Sequence, residues 1–216
     1  MAEENENNIS YSRQSNLFNP EDHINRWIQI IGAGTSGSWT ALALCKLGLK
    51  RVMVYDFDKV EDVNIPSQVH GPIDLEKYKT EALQDSVKRL TGIDVYACKK
   101  YTNQSIDGIV IICVDTMKER KRIHKEIKKQ KIKELLIIDS RIGGSQLEIY
   151  TCQSLKEWEK TFTNNPSQDV CGERSICYIG MITAGLIANQ VKRCLNKESI
   201  SKSILLELNR LNMLRS

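Results

Sequence analysis

Three glycines and one acid carry the first chemistry in this chain. Gly32, Gly34 and Gly37 stand in a G-x-G-x-x-G spacing directly after the apolar run containing Ile28, Ile30 and Ile31. Asp56 follows about twenty residues beyond the turn, at the end of a second apolar run, Val52 to Tyr55. Glycines so spaced let the backbone approach a phosphate, and a helix opening behind them offers N–H groups and a partial positive charge. An acid at the next strand end accepts ribose hydroxyls. The pattern predicts a bound nucleotide and leaves its identity open, because a dinucleotide dehydrogenase would show the same turn and acid.

Those residues need a particular frame. Ala41 to Leu47 reads as the apolar face of a helix, so the opening is a strand–turn–helix–strand unit. After Asp56 the chain is charged, polar and Pro-containing, which predicts a long ordered loop and then a helix from Leu75 to Leu90 stopped by Thr91-Gly92. Asp94 to Cys98 alternates weakly, and Gly108 to Val114 is a buried strand ending at Asp115. A helix runs from there to Gln130, and Glu134 to Asp139 forms another strand with Arg141 just past its end. Ser145 to Cys152 alternates as a hairpin or mixed-sheet strand would. Leu155 to Phe162 suits a short helix and Ser175 to Leu195 a long apolar one, while SILLELN in the tail favours a strand. Tyr11 to Phe18 could make a short helix, and residues 1 to 10 read as a disordered polar arm before a single domain over 11 to 216. Strands alternating with helices give an α/β, Rossmann-like, mainly parallel sheet with helices on both faces, continued by a few antiparallel strands. The tips at Gly32–Gly37, Asp56–Asp58, Asp115 and Arg141 should then face one crevice.

Composition narrows the class. The 31 basic and 27 acidic residues leave a formal charge of +4, too even to make nucleic acid the main partner. The basic stretch Lys118 to Lys133 is interleaved with Ile123, Ile127 and Ile132 at helical spacing and reads as the solvated face of a helix. Seven cysteines without regular spacing argue for a reducing compartment. The acidic, polar start is unlike a signal peptide, and no apolar run reaches membrane-spanning length, so a cytoplasmic protein is expected.

Downstream motifs discriminate among nucleotide users. YDFDKVEDVNIPSQ, KTEAL at Lys79 and IICVDT at Asp115 resemble the ThiF/MoeB family of adenylyltransferases, relatives of ubiquitin-activating enzymes. The opening YSRQSNL and the segment CGERSICYIGMITAGLIANQVK are similar to the same family, the latter to its cysteine loop and following helix. The resemblance implies ATP and Mg²⁺ as cofactors and a homodimer. It also implies activation of the C-terminal carboxylate of a ubiquitin-like or sulfur-carrier β-grasp protein, or of a peptide, with release of pyrophosphate. A carboxylate attacking the α-phosphorus approaches a centre that is already negative, so the site must neutralise the phosphates. By resemblance Asp56 accepts the ribose hydroxyls, Asp58 belongs to the same nucleotide-binding site, and Asp115 holds Mg²⁺. Lys79 sets a positive charge on the phosphates, Asn64 and Gln68 add neutral hydrogen bonds, and Arg13 reaches the partner's triphosphate.

The sequence departs from the family where an arginine usually precedes the glutamine of the Asn-x-x-Arg-Gln motif: here Ser67 stands there, and Arg141 is the candidate replacement cation. The zinc-binding C-x-x-C pairs are missing, so no zinc is expected. Cys171 matches the cysteine that in some relatives takes over the activated carboxyl or a sulfur atom, and it equally suits one loop cysteine among seven. Three rivals stand beside the adenylyltransferase reading: a same-fold enzyme acting on tRNA or a small peptide, a non-catalytic nucleotide-binding subunit, and a dinucleotide oxidoreductase.

Overall fold

The computed structural model describes residues 9–101, 105–106, 108–130, 132, 135–163 and 176–216. Eight strands form one sheet: β1 (Ile28–Ile31), β2 (Val52–Tyr55), β3 (Tyr96–Cys98), β4 (Gly108–Ile112), β5 (Leu135–Gly143), β6 (Gln146–Cys152), β7 (Ser203–Glu207) and β8 (Asn212–Arg215). Their spatial order is β3-β2-β1-β4-β5-β6-β7-β8. From β3 to β5 neighbouring strands are parallel, and from β5 to β8 they are antiparallel. Helices α1 (Thr35–Lys46), α2 (Lys79–Thr91), α3 (Met117–Lys129), α4 (Leu155–Glu159) and α5 (Cys177–Leu195) cover the two faces.

Strand alternation divides the apolar side chains between two cores. Ile28, Ile30, Val52, Val54, Ile109, Ile111 and Ile138 pack beneath Leu44 of α1, Leu83 and Val87 of α2, and Ile187 and Val191 of α5. Ile31, Tyr55, Val110, Ile112 and Ile137 face the other way, toward Ile123 and Ile127 of α3 and Trp158 of α4. A fully buried isoleucine of this kind contributes about 1.5–3 kcal/mol. α1 is held against α5 at Gly180, where a Cβ would meet the side chains of Thr35 and Trp39 at 2.7 and 2.9 Å.

Register matters most for function. Ile31 pairs with Tyr55 on one side and Ile112 on the other, and Ile112 pairs with Asp139. The next residues along, Gly32, Asp56, Cys113 and Ser140, therefore emerge level at the carboxyl end of the parallel strands.

Four boundaries differ from the sequence reading. Residues 12–17 form successive turns rather than a helix; the Ser15 hydroxyl donates to the Ser12 carbonyl at 2.9 Å, a local bond that competes with helix propagation. α2 begins at Lys79, not Leu75, because Pro72–Asp74 make a tight 3₁₀ turn and Glu76 takes a φ of 66°. It does stop at Gly92, in the left-handed conformation that the Thr91-Gly92 signal predicts. β5 runs on through Arg141 to Gly143, since β6 pairs with it as far as Gly143–Gln146. The tail folds as the hairpin β7–β8. No helix among the described residues is long and apolar enough to cross a membrane. Most of the expected N-terminal arm lies outside the described residues.

Candidate active site

The level strand ends open into a cleft of about 600 Å³. Its floor is the glycine turn. Gly32 has a φ of 101°, and a Cβ there would run into the Cys113 carbonyl; one on Gly37 would overlap the Gly32 carbonyl. These two glycines let the chain turn from β1 into α1. Gly34 is different: it caps α1 at φ −73°, and the space a Cβ would take is open. Gly34 thus leaves room above the first turn of α1, where N–H groups point outward and a phosphate would sit.

Asp56 is already oriented by this turn. Its Oδ2 accepts from the Ala33 N–H at 2.6 Å and its Oδ1 from the Asp58 N–H at 2.8 Å. Burial pushes its pKa above the ordinary carboxylate value, against the pull of those two N–H groups. Asp58 closes the other end of the loop. Its carbonyl accepts from the Lys79 N–H at 2.9 Å, and its Oδ2 lies 3.1 Å from Lys79 Nζ. Lys59 and Tyr78 form a bridge beside it. The long loop from 59 to 78 is in this way tied at its base, which delivers Lys79, itself only 8% exposed, to the cleft wall.

Asp115 leaves β4 exposed at the mouth of the cleft. Capping α3 is not its task, because Thr116 is the N-cap and accepts from the Glu119 N–H at 3.2 Å. Its carboxylate is a hard oxygen donor at the edge of the cleft. Among the described residues no three His, Cys, Asp or Glu side chains converge as a metal cage. A lone carboxylate suits Mg²⁺, which is carried chiefly by substrate phosphates with one or two protein carboxylates. Asn64 and Gln68 also line the cleft. The Asn64 Oδ1 accepts from the Glu61 N–H at 3.0 Å, and the Gln68 Oε1 is buried with no hydrogen-bond partner among the described residues.

Ser67 is buried in the cleft wall, with its hydroxyl accepting from Thr35 Oγ1 at 3.2 Å and its carbonyl accepting from Trp39 Nε1 at 2.9 Å. Arg141 does not replace the missing arginine. Being inside β5 rather than past its end, it obeys the strand's alternation: Ser140 and Ile142 line the cleft, and Arg141 projects to the α3–α4 face. There its guanidinium forks onto Asp139 Oδ2 at 3.1 and 2.7 Å and donates to the Thr161 carbonyl and hydroxyl. Arg120 takes the other Asp139 oxygen at 2.9 Å and Trp158 Nε1 adds a bond at 3.0 Å. Burial would raise the pKa of Asp139, but Arg120 and Arg141 outweigh it and hold the carboxyl below its ordinary value. Arg13 is exposed on the turns before β1 and does not line the cleft of its own chain. Cys171 lies outside the described residues.

Several lining residues carried no separate signal in the sequence. Thr35 and Ser36 follow Gly34 on α1, Lys100 and Tyr101 follow β3, and Glu119 and Arg122 come from the first turns of α3. Lys100 Nζ stands 5.3 Å above the Phe57 ring at the rim. Arg122 is locked to Glu119 by bonds of 2.5–2.9 Å and donates to the Tyr101 carbonyl at 2.9 Å. The three-residue spacing that carries on from the N-cap Thr116 to Glu119 and Arg122 was the available clue, since such positions share one side of α3. Cys113 lies at the cleft floor, where burial pushes its thiol up to about 12 and keeps it protonated.

Comparison with known proteins agrees with this geometry. The model of the ThiF family matches residues 11–215. The chain belongs to the ThiF family. A probable adenylyltransferase/sulfurtransferase MoeZ of Mycobacterium tuberculosis is 36% identical over 64 residues, 29% of this chain and 16% of that protein. Among solved structures, E. coli MccB with ATP superimposes with a TM-score of 0.74 at 15% identity, over 91% of this chain and 65% of MccB. PaaA does so with a TM-score of 0.69 at 18% identity, over 91% and 65%. At those identities the likeness is one of fold, and the Rossmann-like ThiF architecture is shared. The chain spans about two thirds of MccB and PaaA and a sixth of MoeZ.

Proposed function

We propose that residues 11–216 form one ATP-binding adenylation domain that activates a terminal carboxylate of a peptide or of a small β-grasp carrier protein. The observation that carries this is the meeting, in one cleft, of the glycine turn, Asp56, Lys79 and an Asp115 with no capping duty. A dinucleotide oxidoreductase has use for the first two alone. The MccB structures with ATP and with MccA, and the adenylyltransferase activity for which MoeZ is named, support the same direction.

In this reading the ribose hydroxyls bind Asp56, and the phosphates lie over Gly34 and the first turn of α1. Lys79 leaves Asp58 to meet them, exchanging a partly exposed carboxylate for a triphosphate. Mg²⁺ on Asp115 would neutralise charge between phosphates. The substrate carboxylate oxygen then bonds to the α-phosphorus as the bond to the β-phosphate bridging oxygen breaks. The products are the acyl-adenylate and pyrophosphate, and the leaving electron pair stays on pyrophosphate. Thr35, Ser67 and Gln68 supply neutral polar contacts where relatives place an arginine. A homodimer is part of the proposal, because Arg13 has no role in its own cleft. The described free thiols, among them Cys45 and Cys152, are consistent with a reducing cytoplasm. Cys171 is proposed as an acceptor for the activated acyl group.

Carboxylate-dependent exchange of labelled pyrophosphate into ATP, using short peptides ending in Gly-Gly, tests the proposal. Exchange that appears only with peptide present is the expected result. Tight ATP binding with no exchange for any peptide or carrier protein would overturn it in favour of a non-catalytic nucleotide-binding subunit, the reading that the neutral Ser67 favours.

A further inference from the structure

The solvent crest of α3 is a row of cations leading away from the cleft. Arg120, Ile123, His124 and Ile127 are buried beneath, and at 100° per residue Lys118, Arg122, Lys125 and Lys129 fall along the opposite side. The helix carries seven basic and two acidic residues, an excess larger than the net charge of +4 of the whole protein. Both acids are already engaged on the helix itself: Glu119 on Arg122, and Glu126 on Lys129 at 2.9 Å. Lys118 and Lys125 are exposed and have no ion-pair partner among the described residues. The row spans roughly 16 Å, and its Arg122 is itself part of the cleft wall.

We propose that this crest is a docking lane for an acidic stretch of the polypeptide whose carboxyl terminus enters the cleft. The inference rests on the carboxylate-activating reading of that cleft. An extended chain rises about 3.3 Å per residue, so the row matches roughly five residues of substrate. Glu119 and Glu126 border the lane on one side and Lys121 and Lys128 on the other, so the acidic flank would oppose a phosphate backbone laid broadly across the helix. It also carries no aromatic side chain on which a base could stack. A single acidic strand therefore fits it better than nucleic acid does.

Fluorescence anisotropy on the full chain tests the lane directly. The probes are a labelled Glu/Ser peptide ending in Gly-Gly with a free carboxylate, a matched Lys/Ser peptide, and a single-stranded oligonucleotide. The acidic peptide should bind best and weaken about tenfold between roughly 50 and 300 mM salt. Reversing the lane (Lys118→Glu with Lys125→Glu and Lys129→Glu) should cost about tenfold again. Binding of a fluorescent ATP analogue should not change in that variant, which also shows that it is folded. Equal binding of acidic and basic peptides, an unaffected triple variant, or capture of the oligonucleotide instead would overturn the lane. Loss of ATP-analogue binding by the unaltered protein would instead count against the cleft reading, so the two failures are distinguishable.

Discussion

Thr35 Oγ1 and Ser67 Oγ lie 3.2 Å apart, hydrogen-bonded across the wall of the cleft, where the family resemblance places a guanidinium. Trp39 holds the Ser67 carbonyl at 2.9 Å, and Ser67 lines the cleft. Ser67→Arg should tighten ATP binding by about tenfold, the worth of one charge-assisted contact to phosphate. It should also lower thermal stability by displacing the Thr35 bond. Calorimetric titration with ATP and a melting curve check both; unchanged affinity would mean that the phosphates do not pass Ser67.

The three glycines of the turn should separate into two kinds. Gly37→Ala sets a Cβ against the Gly32 carbonyl, backbone on backbone, and should cost about 3 kcal/mol or more in folding. Gly34→Ala meets open space, so the fold should lose no more than about 1 kcal/mol while ATP affinity falls about tenfold. Urea denaturation and nucleotide titration on the two variants measure the split.

Arg141→Ala should act on stability. It leaves Asp139, fully buried, with one of its two cations, a loss of about 3–5 kcal/mol for a broken buried pair. Below its lowered melting point the variant should bind ATP as the parent does. A stable variant that has lost ATP binding would return Arg141 to the cleft.

The reasons Arg141 was misplaced show what was legible in the chain. The places of the glycine turn, Asp56 and Asp115 in the fold were readable because each is local, a tight turn and two strand ends, whereas Lys79 came only from the family resemblance, the helix being expected from Leu75. The strand–helix alternation that makes the parallel half of the sheet was readable too. Arg141 depended on where β5 stops, and that is decided by its antiparallel partner β6, seven paired positions long and distant from any local signal. Once the strand is extended through Gly143, period-two alternation turns Arg141 away from the cleft and Ser140 toward it. The α3 residues Glu119 and Arg122 were hidden inside a stretch that reads as an ordinary charged helix, and only its position at the end of β4 gives them a place in the site.

Stability should fall with acid through His70. The imidazole is 3% exposed, buried near Asp74 and Lys79. Burial lowers its pKa from the usual 6.5 to about 4. The unfolded chain therefore takes up the proton first as pH drops. The stabilising contribution is complete above pH 6.5 and is lost as pH falls from there toward 4, by about 3 kcal/mol at most. His70→Asn should flatten this part of the pH dependence in urea titrations at pH 7 and pH 4.5; an unaltered slope would assign it to other groups.

A crystal structure with Mg²⁺ and a non-hydrolysable ATP analogue tests the central claim most directly. The ribose should sit on Asp56, the phosphates over Gly34 with Lys79 Nζ moved from Asp58 onto them, and the metal about 2.1 Å from an Asp115 oxygen. A nucleotide bound elsewhere, or one in this cleft with Lys79 still on Asp58 and Asp115 turned to solvent, would contradict it.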